Sequence, residues 1–124
     1  RLAREAAGTY RPQQITANGE TYIPKVISGT ICAGDVFGQS EARIRAIRKE
    51  LKAQLMEMEG PAIAQVCRQL EIPHLVIRGG SNLTQENPGG DYRRLGPVAA
   101  HSAARFTRHF IGYLARNAIV SSDQ

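Results

Sequence analysis

The 124-residue chain is 42% hydrophobic and 22% charged, an ordinary composition for one compact globular domain. No apolar run approaches the roughly 18 residues of a membrane-crossing helix, so no membrane partner is expected. The net charge of +5 invites an anionic partner. However, Arg43, Arg45, Arg48, Lys49 and Lys52 interleave with apolar positions as a solvated helix face, and with no Trp and few aromatics there is no base-stacking platform, so no nucleic-acid partner is expected.

The chain opens on Arg1-Leu2-Ala3-Arg4, with neither Met nor a signal-like apolar stretch, and is expected to be a processed form or part of a longer chain. That leaves the compartment unknown, with a cytoplasmic one favoured. Residues 1–24 are punctuated by Gly8, Pro12, Asn18-Gly19 and Pro24, and are expected to be an irregular segment or linker with a tight turn at Asn-Gly. Val26 to Ala33 is β-rich and runs into a loop at Gly34-Asp35. Ser40 can cap a helix burying Ile44, Ile47 and Leu51. The short apolar segment Leu55-Met56-Glu57-Met58-Glu59 reads as a second strand. Gly60-Pro61 then opens a helix with Ile63, Val66, Cys67 and Leu70 on one face, ended by Pro73. His74 to Ile77 is expected to be a buried strand closing at Arg78-Gly79-Gly80-Ser81-Asn82. A polar loop follows to about Arg93, then a helix over roughly Leu95 to Arg116 burying Val98, Ala99, Phe106, Phe110 and Leu114. Residues 119–124 are a tail.

Alternating strands and helices predict an α/β sheet with helices on its faces. In such folds ligands sit at the carboxyl ends of the strands. The clusters Gly34 to Phe37, Glu57 to Glu59 and Arg78 to Asn82 all fall at expected strand ends. Glu57 and Glu59 share one side of their strand, where they repel and are costly to desolvate unpaired. They read either as an exposed strand edge or as a pair that holds ligand hydroxyls, with Arg78 as the neighbouring cation. Cys32 and Cys67 lack metal-ligand spacing and are expected to be buried reduced thiols. His74, His101 and His109 are too scattered for a metal site, and no metal or other cofactor is expected.

Three segments carry a specific resemblance. Gly29-Thr-Ile-Cys-Ala-Gly-Asp-Val-Phe37, Met56-Glu-Met-Glu-Gly-Pro-Ala-Ile-Ala-Gln-Val-Cys67 and Ile72-Pro-His-Leu-Val-Ile-Arg-Gly-Gly-Ser-Asn82 resemble, in order and spacing, segments of the nucleoside phosphorylase and 5′-methylthioadenosine (S-adenosylhomocysteine) nucleosidase superfamily. The resemblance implies a three-layer α/β/α sandwich with a central mixed sheet. Residues 25–118 would form only the C-terminal half of that domain. The implied activity is hydrolysis of a purine nucleoside; a phosphorylase or a non-catalytic nucleoside-binding or storage relative is the alternative. By the resemblance, Phe37 stacks on the base and the Gly38 backbone bonds its edge. Met56 and Glu57 line the base pocket, Met58 packs on the ribose, and Glu59 accepts from the 2′ and 3′ hydroxyls. Arg78 and Ser81 belong to the same site, Asn82 takes the catalytic acid's place, and Tyr92 closes the pocket.

Two departures from the family pattern matter. Most relatives carry an Asp after the Ser where this chain, like futalosine hydrolases, has Asn82, and an amide cannot supply a proton as a carboxylic acid does. Asn82 reads either as a changed base preference, toward a 6-oxopurine, or as a site that has lost catalysis. Relatives are also about twice as long, so a missing N-terminal half is an expected partner, and the resemblance further implies a homodimer and a purine nucleoside substrate.

Overall fold

The computed structural model describes residues 1–34, 41–81 and 88–121. Its elements in chain order are α1 (Leu2–Thr9), β1 (Ile15–Ala17), β2 (Glu20–Tyr22), β3 (Thr30–Ala33), α2 (Glu41–Leu51), β4 (Ala53–Glu57), α3 (Gly60–Gln69) and α4 (Pro88–Ser121). The first 24 residues are therefore not irregular as expected. Ala3, Ala6 and Ala7 are strong helix formers that outweigh the single Gly8, and Ala6 is fully buried.

The Asn18-Gly19 turn is where the sequence puts it. Both residues have positive φ, 53° and 76°, and they join β1 to β2 in an antiparallel hairpin pairing Ile15 with Tyr22 and Ala17 with Glu20. A two-residue loop with left-handed backbone at both positions matches the twist of the flanking strands, which is why Asn-Gly suits it. The hairpin is tied to the early turns of α4: Asn18 Nδ2 donates to the Arg94 carbonyl at 3.2 Å, and Arg94 Nη1 pairs with Glu20 at 2.7 Å.

β3 and β4 form a parallel pair, aligning Cys32 with Met56 and Ala33 with Glu57, with an irregularity at Thr30/Ile31. A parallel pair needs a crossover, and α2 occupies it. Ile44 and Ile47 of α2 are half-buried as expected, whereas Leu51 at its end is exposed. The Ser40 cap lies outside the described residues. β3 itself starts at Thr30 rather than Val26, because residues 26–29 have no strand to bond to among the described residues.

α3 ends before Pro73, through its own backbone. The Glu71 N–H donates to Arg68 O at 3.3 Å and the Ile72 N–H to Cys67 O at 2.8 Å, with Glu71 left-handed at φ 55°. This is the Schellman arrangement, with Glu in the position usually given to Gly. The expected buried stripe of α3 is instead largely solvent-facing, with Ile63 59% and Leu70 63% exposed. The segment 72–81 has no regular secondary structure and, among the described residues, bonds to no strand, so the buried strand expected at His74 to Ile77 is not formed there, and His74 and Leu75 are exposed. A strand needs a partner ladder for its N–H and C=O groups, and no described residues supply one here.

α4 is longer than expected and takes in residues 88–94 of the expected loop, with Pro97 inside it. Pro88 fits a helix start because its missing N–H would be unpaired there in any case. Val98, Ala99 and Phe106 are buried as the periodicity predicts, and Phe110 and Leu114 are half-buried. Phe106 meets Tyr10 edge-on, ring centroids 5.3 Å apart and planes at 77°, fastening the exit of α1 to α4.

The described residues thus form a mixed α/β structure with two small sheets. The expected three-layer sandwich around one central sheet is not formed by them, and several large apolar side chains have no cover. Cys32 is buried and Cys67 half-buried, both as free thiols.

One contact fixes the path of residues 72–81 across α4. A Cβ at Gly79 would lie 2.2 Å from the Ala99 carbonyl oxygen, which is helix backbone and cannot yield. Gly79→Ala should therefore lower the unfolding free energy by about 1–3 kcal/mol. Chemical denaturation would measure this, and an unchanged midpoint would show that the crossing is not that close.

Candidate functional site

β4 delivers Glu57 to its carboxyl end, and α3 starts three residues later at Gly60. The first N–H groups of a helix have no partner within it and carry partial positive charge. Glu57 supplies the missing acceptor from outside. Its Oε1 accepts from the Gly60 N–H at 2.7 Å and its Oε2 from the Glu59 N–H at 3.2 Å. Gly is needed at position 60, since a Cβ there would sit 2.4 Å from Glu57 Oε1.

Arg78 reaches the same place from the segment 72–81. Its Nη2 pairs with Glu57 Oε2 and with Glu59 Oε2, so one guanidinium bridges both carboxylates. The cation expected from the sequence is in place. Exposure separates the two acids: the Glu57 side chain is 7% exposed and that of Glu59 64%. Burial by itself would push the Glu57 carboxyl up, but the N–H groups of Glu59 and Gly60 and the Arg78 guanidinium together outweigh it and hold the group below its ordinary range. Burial likewise opposes the charge on Arg78, and the hydrogen bond to Glu59 with the charge of Glu57 reverses that and raises its pKa.

The two carboxylates are thereby given different work. Both oxygens of Glu57 are occupied by backbone and guanidinium. Among the described residues Glu59 meets the guanidinium through Oε2 alone, and its side chain is largely exposed. Beside the cluster lies a groove of 470 Å3, with Glu57, Gly60 and Ile31 at one side and Gln65, Arg68 and His74 among the rest of its lining. The sequence did not single out Gly60, Gln65 or Arg68. The i, i+4 and i+8 spacing of Gly60, Ala64 and Arg68 on α3 is the signal that could have found them.

The other expected site residues are less gathered. Met56 is half-buried in β4 opposite Cys32, and Met58 is exposed. Ser81 is half-buried at the end of the segment 72–81. Tyr92 is 59% exposed on the early turns of α4, its ring beside Gly96. Phe37, Gly38 and Asn82 lie outside the described residues. Among the described residues, no group of His, Cys, Asp and Glu side chains could hold a metal ion.

The sequence pattern of the phosphorylase superfamily matches residues 2–113. The chain belongs to that superfamily. Within it, the chain is 40% identical over 96 residues to a 5′-methylthioadenosine/S-adenosylhomocysteine nucleosidase of Mycobacterium bovis, a match covering 77% of this chain and 38% of that protein. It is 33% identical over 86 residues to an aminodeoxyfutalosine nucleosidase of Helicobacter pylori, covering 69% and 37%. A 5′-methylthioadenosine/S-adenosylhomocysteine nucleosidase of Psychromonas ingrahamii is 32% identical over 91 residues, covering 73% and 39%. The matched part thus spans under two fifths of the length of each of these superfamily members. No solved structure gives a significant match. The superfamily match also takes in α1 and the hairpin, the stretch expected to be a linker.

The cluster makes two stability predictions. The Glu57 carboxyl titrates below its ordinary value of 4.5 when folded, so the stability it contributes is complete above that pH and is lost as pH falls from there through the folded-state value. Glu57→Gln should flatten this acid limb in a series of melting temperatures; a limb of unchanged slope would assign it to other groups. Arg78→Met leaves a largely buried carboxylate without its cation. After allowance for solvent screening, it should cost about 1–3 kcal/mol, read as a lowered denaturation midpoint.

Proposed function

We propose that the protein is a purine nucleosidase that hydrolyses the N-glycosidic bond of a purine nucleoside, with this chain supplying the C-terminal half of a nucleoside phosphorylase-like domain. The observation that carries this reading is the Glu57–Arg78–Glu59 cluster, in which one carboxylate is fixed by backbone and cation while the other shares the same guanidinium and stays exposed. The names of the matched relatives support a methylthioadenosine-, adenosylhomocysteine- or futalosine-like nucleoside, and support water rather than phosphate as acceptor.

In this reading the glycosidic bond breaks through an oxocarbenium-like ribosyl cation. Glu59 accepts hydrogen bonds from the 2′ and 3′ hydroxyls and offsets the positive charge that develops on the ring. Arg78 and Glu57 position that carboxylate, and Glu57 and Met56 border the base side. Met58 packs against the sugar, Phe37 and Tyr92 cover the base, and the Gly38 backbone and Ser81 help hold it. The bonding electrons leave with the purine, whose N7 or O6 receives the Asn82 amide N–H. Water adds to the anomeric carbon and loses a proton to a group outside this chain. The rest of the domain, covering the exposed face of α3 and the unpaired segment 72–81, and a second copy of the protein complete the pocket.

A second reading is favoured by one observation, the amide of Asn82 where relatives carry an acid. It holds that the protein binds purine nucleosides without cleaving them. Release of free base from inosine and methylthioadenosine separates the two, with calorimetry as the companion measurement. Base release supports the nucleosidase; tight binding without release supports the binding protein.

Given turnover, Glu59→Gln should reduce kcat/KM by about 10²–10³-fold, the scale for losing one preorganised contact to transition-state charge. Full activity in that variant removes Glu59 from the mechanism. Asn82→Asp should shift preference from inosine toward adenosine-type nucleosides. An unchanged ratio would mean that Asn82 does not read the base.

A further inference from the structure

A second groove, of 430 Å3, lies between the exit of α1 and the later turns of α4, and it shares no lining residue with the first. Arg105, Arg108, Gly112 and Arg116 recur on α4 at steps of three, four and four residues, which places them on one helix face. The sequence treats these arginines as an ordinary solvated side. The structure adds a fourth, Arg11, from a different segment. Arg11 Nη1 donates to the carbonyls of Gly8 and Tyr10, each at 3.1 Å, so its guanidinium is held at the rim. Tyr10 and His109 form the wall between, ring centroids 5.1 Å apart. His109 is itself oriented by contacts to Ala6 O at 3.0 Å and Thr9 Oγ1 at 3.1 Å. Gly112 keeps the floor open, because a Cβ there would press on Arg116 Nη1 at 3.3 Å.

Four guanidiniums line this groove and, among the described residues, no carboxylate does. Elsewhere Arg1, Arg78 and Arg94 each pair with a glutamate. Among the described residues Arg105, Arg108 and Arg116 have no such partner. Like charges gathered without a counter-charge repel one another, and an anion in the groove relieves that repulsion. Guanidinium forks suit phosphoryl oxygens, which they can engage two at a time. Arg105 and Arg116 are separated along α4 by about 16 Å at 1.5 Å per residue, further than one phosphate reaches. The volume is in the range of small-ligand sites, about 300–1,000 Å3. A single tyrosine does not make the stacked aromatic row that single-stranded nucleic acid uses.

We propose that this groove binds a small anion with several phosphoryl groups linked in a chain, either an inorganic oligophosphate or the phosphate tail of a nucleotide. The test is calorimetric titration of the purified protein, in metal-free buffer, with tripolyphosphate, ATP, orthophosphate and a short single-stranded RNA. Tripolyphosphate should bind at one site and more tightly than orthophosphate. The double variants Arg105→Gln/Arg108→Gln and Arg11→Gln/Arg116→Gln should each weaken it by about tenfold or more, the scale for losing charge-assisted hydrogen bonds. Arg48→Gln, on the solvated face of α2, should leave it unchanged. Tighter binding of ATP than tripolyphosphate identifies a nucleotide as the source, and equal binding identifies the phosphate chain alone; both support the site. Absence of binding, equal loss in the Arg48 variant, or a preference for RNA would overturn it.

Discussion

A carboxylate buried at the start of a helix organises most of what is distinctive here. Glu57 stands where β4 ends and α3 begins, and its two oxygens take up N–H groups that the helix cannot satisfy internally. The same carboxylate draws in Arg78 from the segment that follows α3. A strand end, a helix start and a distant loop are thereby joined at one charge. Glu59 inherits its position from this junction: it immediately precedes α3 and shares the guanidinium. The exposed acid is held in place because the buried one is.

Charge of the opposite sign is handled differently at the far turns of α4. In the acidic cluster two carboxylates share one guanidinium, and backbone N–H groups supply the rest. In the basic groove Arg11, Arg105, Arg108 and Arg116 meet with no acidic lining among the described residues. The first arrangement pairs its charges internally, and the second is left to the proposed outside ligand. The net charge of +5 thus conceals two local balances of opposite character.

Local chemistry made parts of this legible in the sequence. Asn18-Gly19 specifies a turn by its backbone alone, and the Val98, Ala99 and Phe106 face of α4 follows from period 3.6. Pairing Arg78 with Glu57 and Glu59 needed only the rule that neighbouring carboxylates require a cation. Other features depended on partners that a periodic pattern does not supply. His74 to Ile77 has the composition of a buried strand, but strand formation requires a ladder, and Ile63 and Leu70 form a stripe with nothing set against it. α1 was hidden by the weight given to Gly8 over its alanines, and α4 by the polar composition of its first turns. The N–H contacts of Glu57 were invisible for another reason. They depend on how a strand end meets a helix start, which spacing does not encode.

Two helix exits carry a conformational load. Lys52, after α2, and Glu71, after α3, both adopt the left-handed backbone, with φ of 50° and 55°. Side chains with a Cβ enter that region at a cost of about 1 kcal/mol each, which glycine avoids. At both exits the chain therefore keeps stability in reserve, attainable by a single change that touches no contact of either groove. Sequences drift to such states because selection asks only that a fold stay above its threshold.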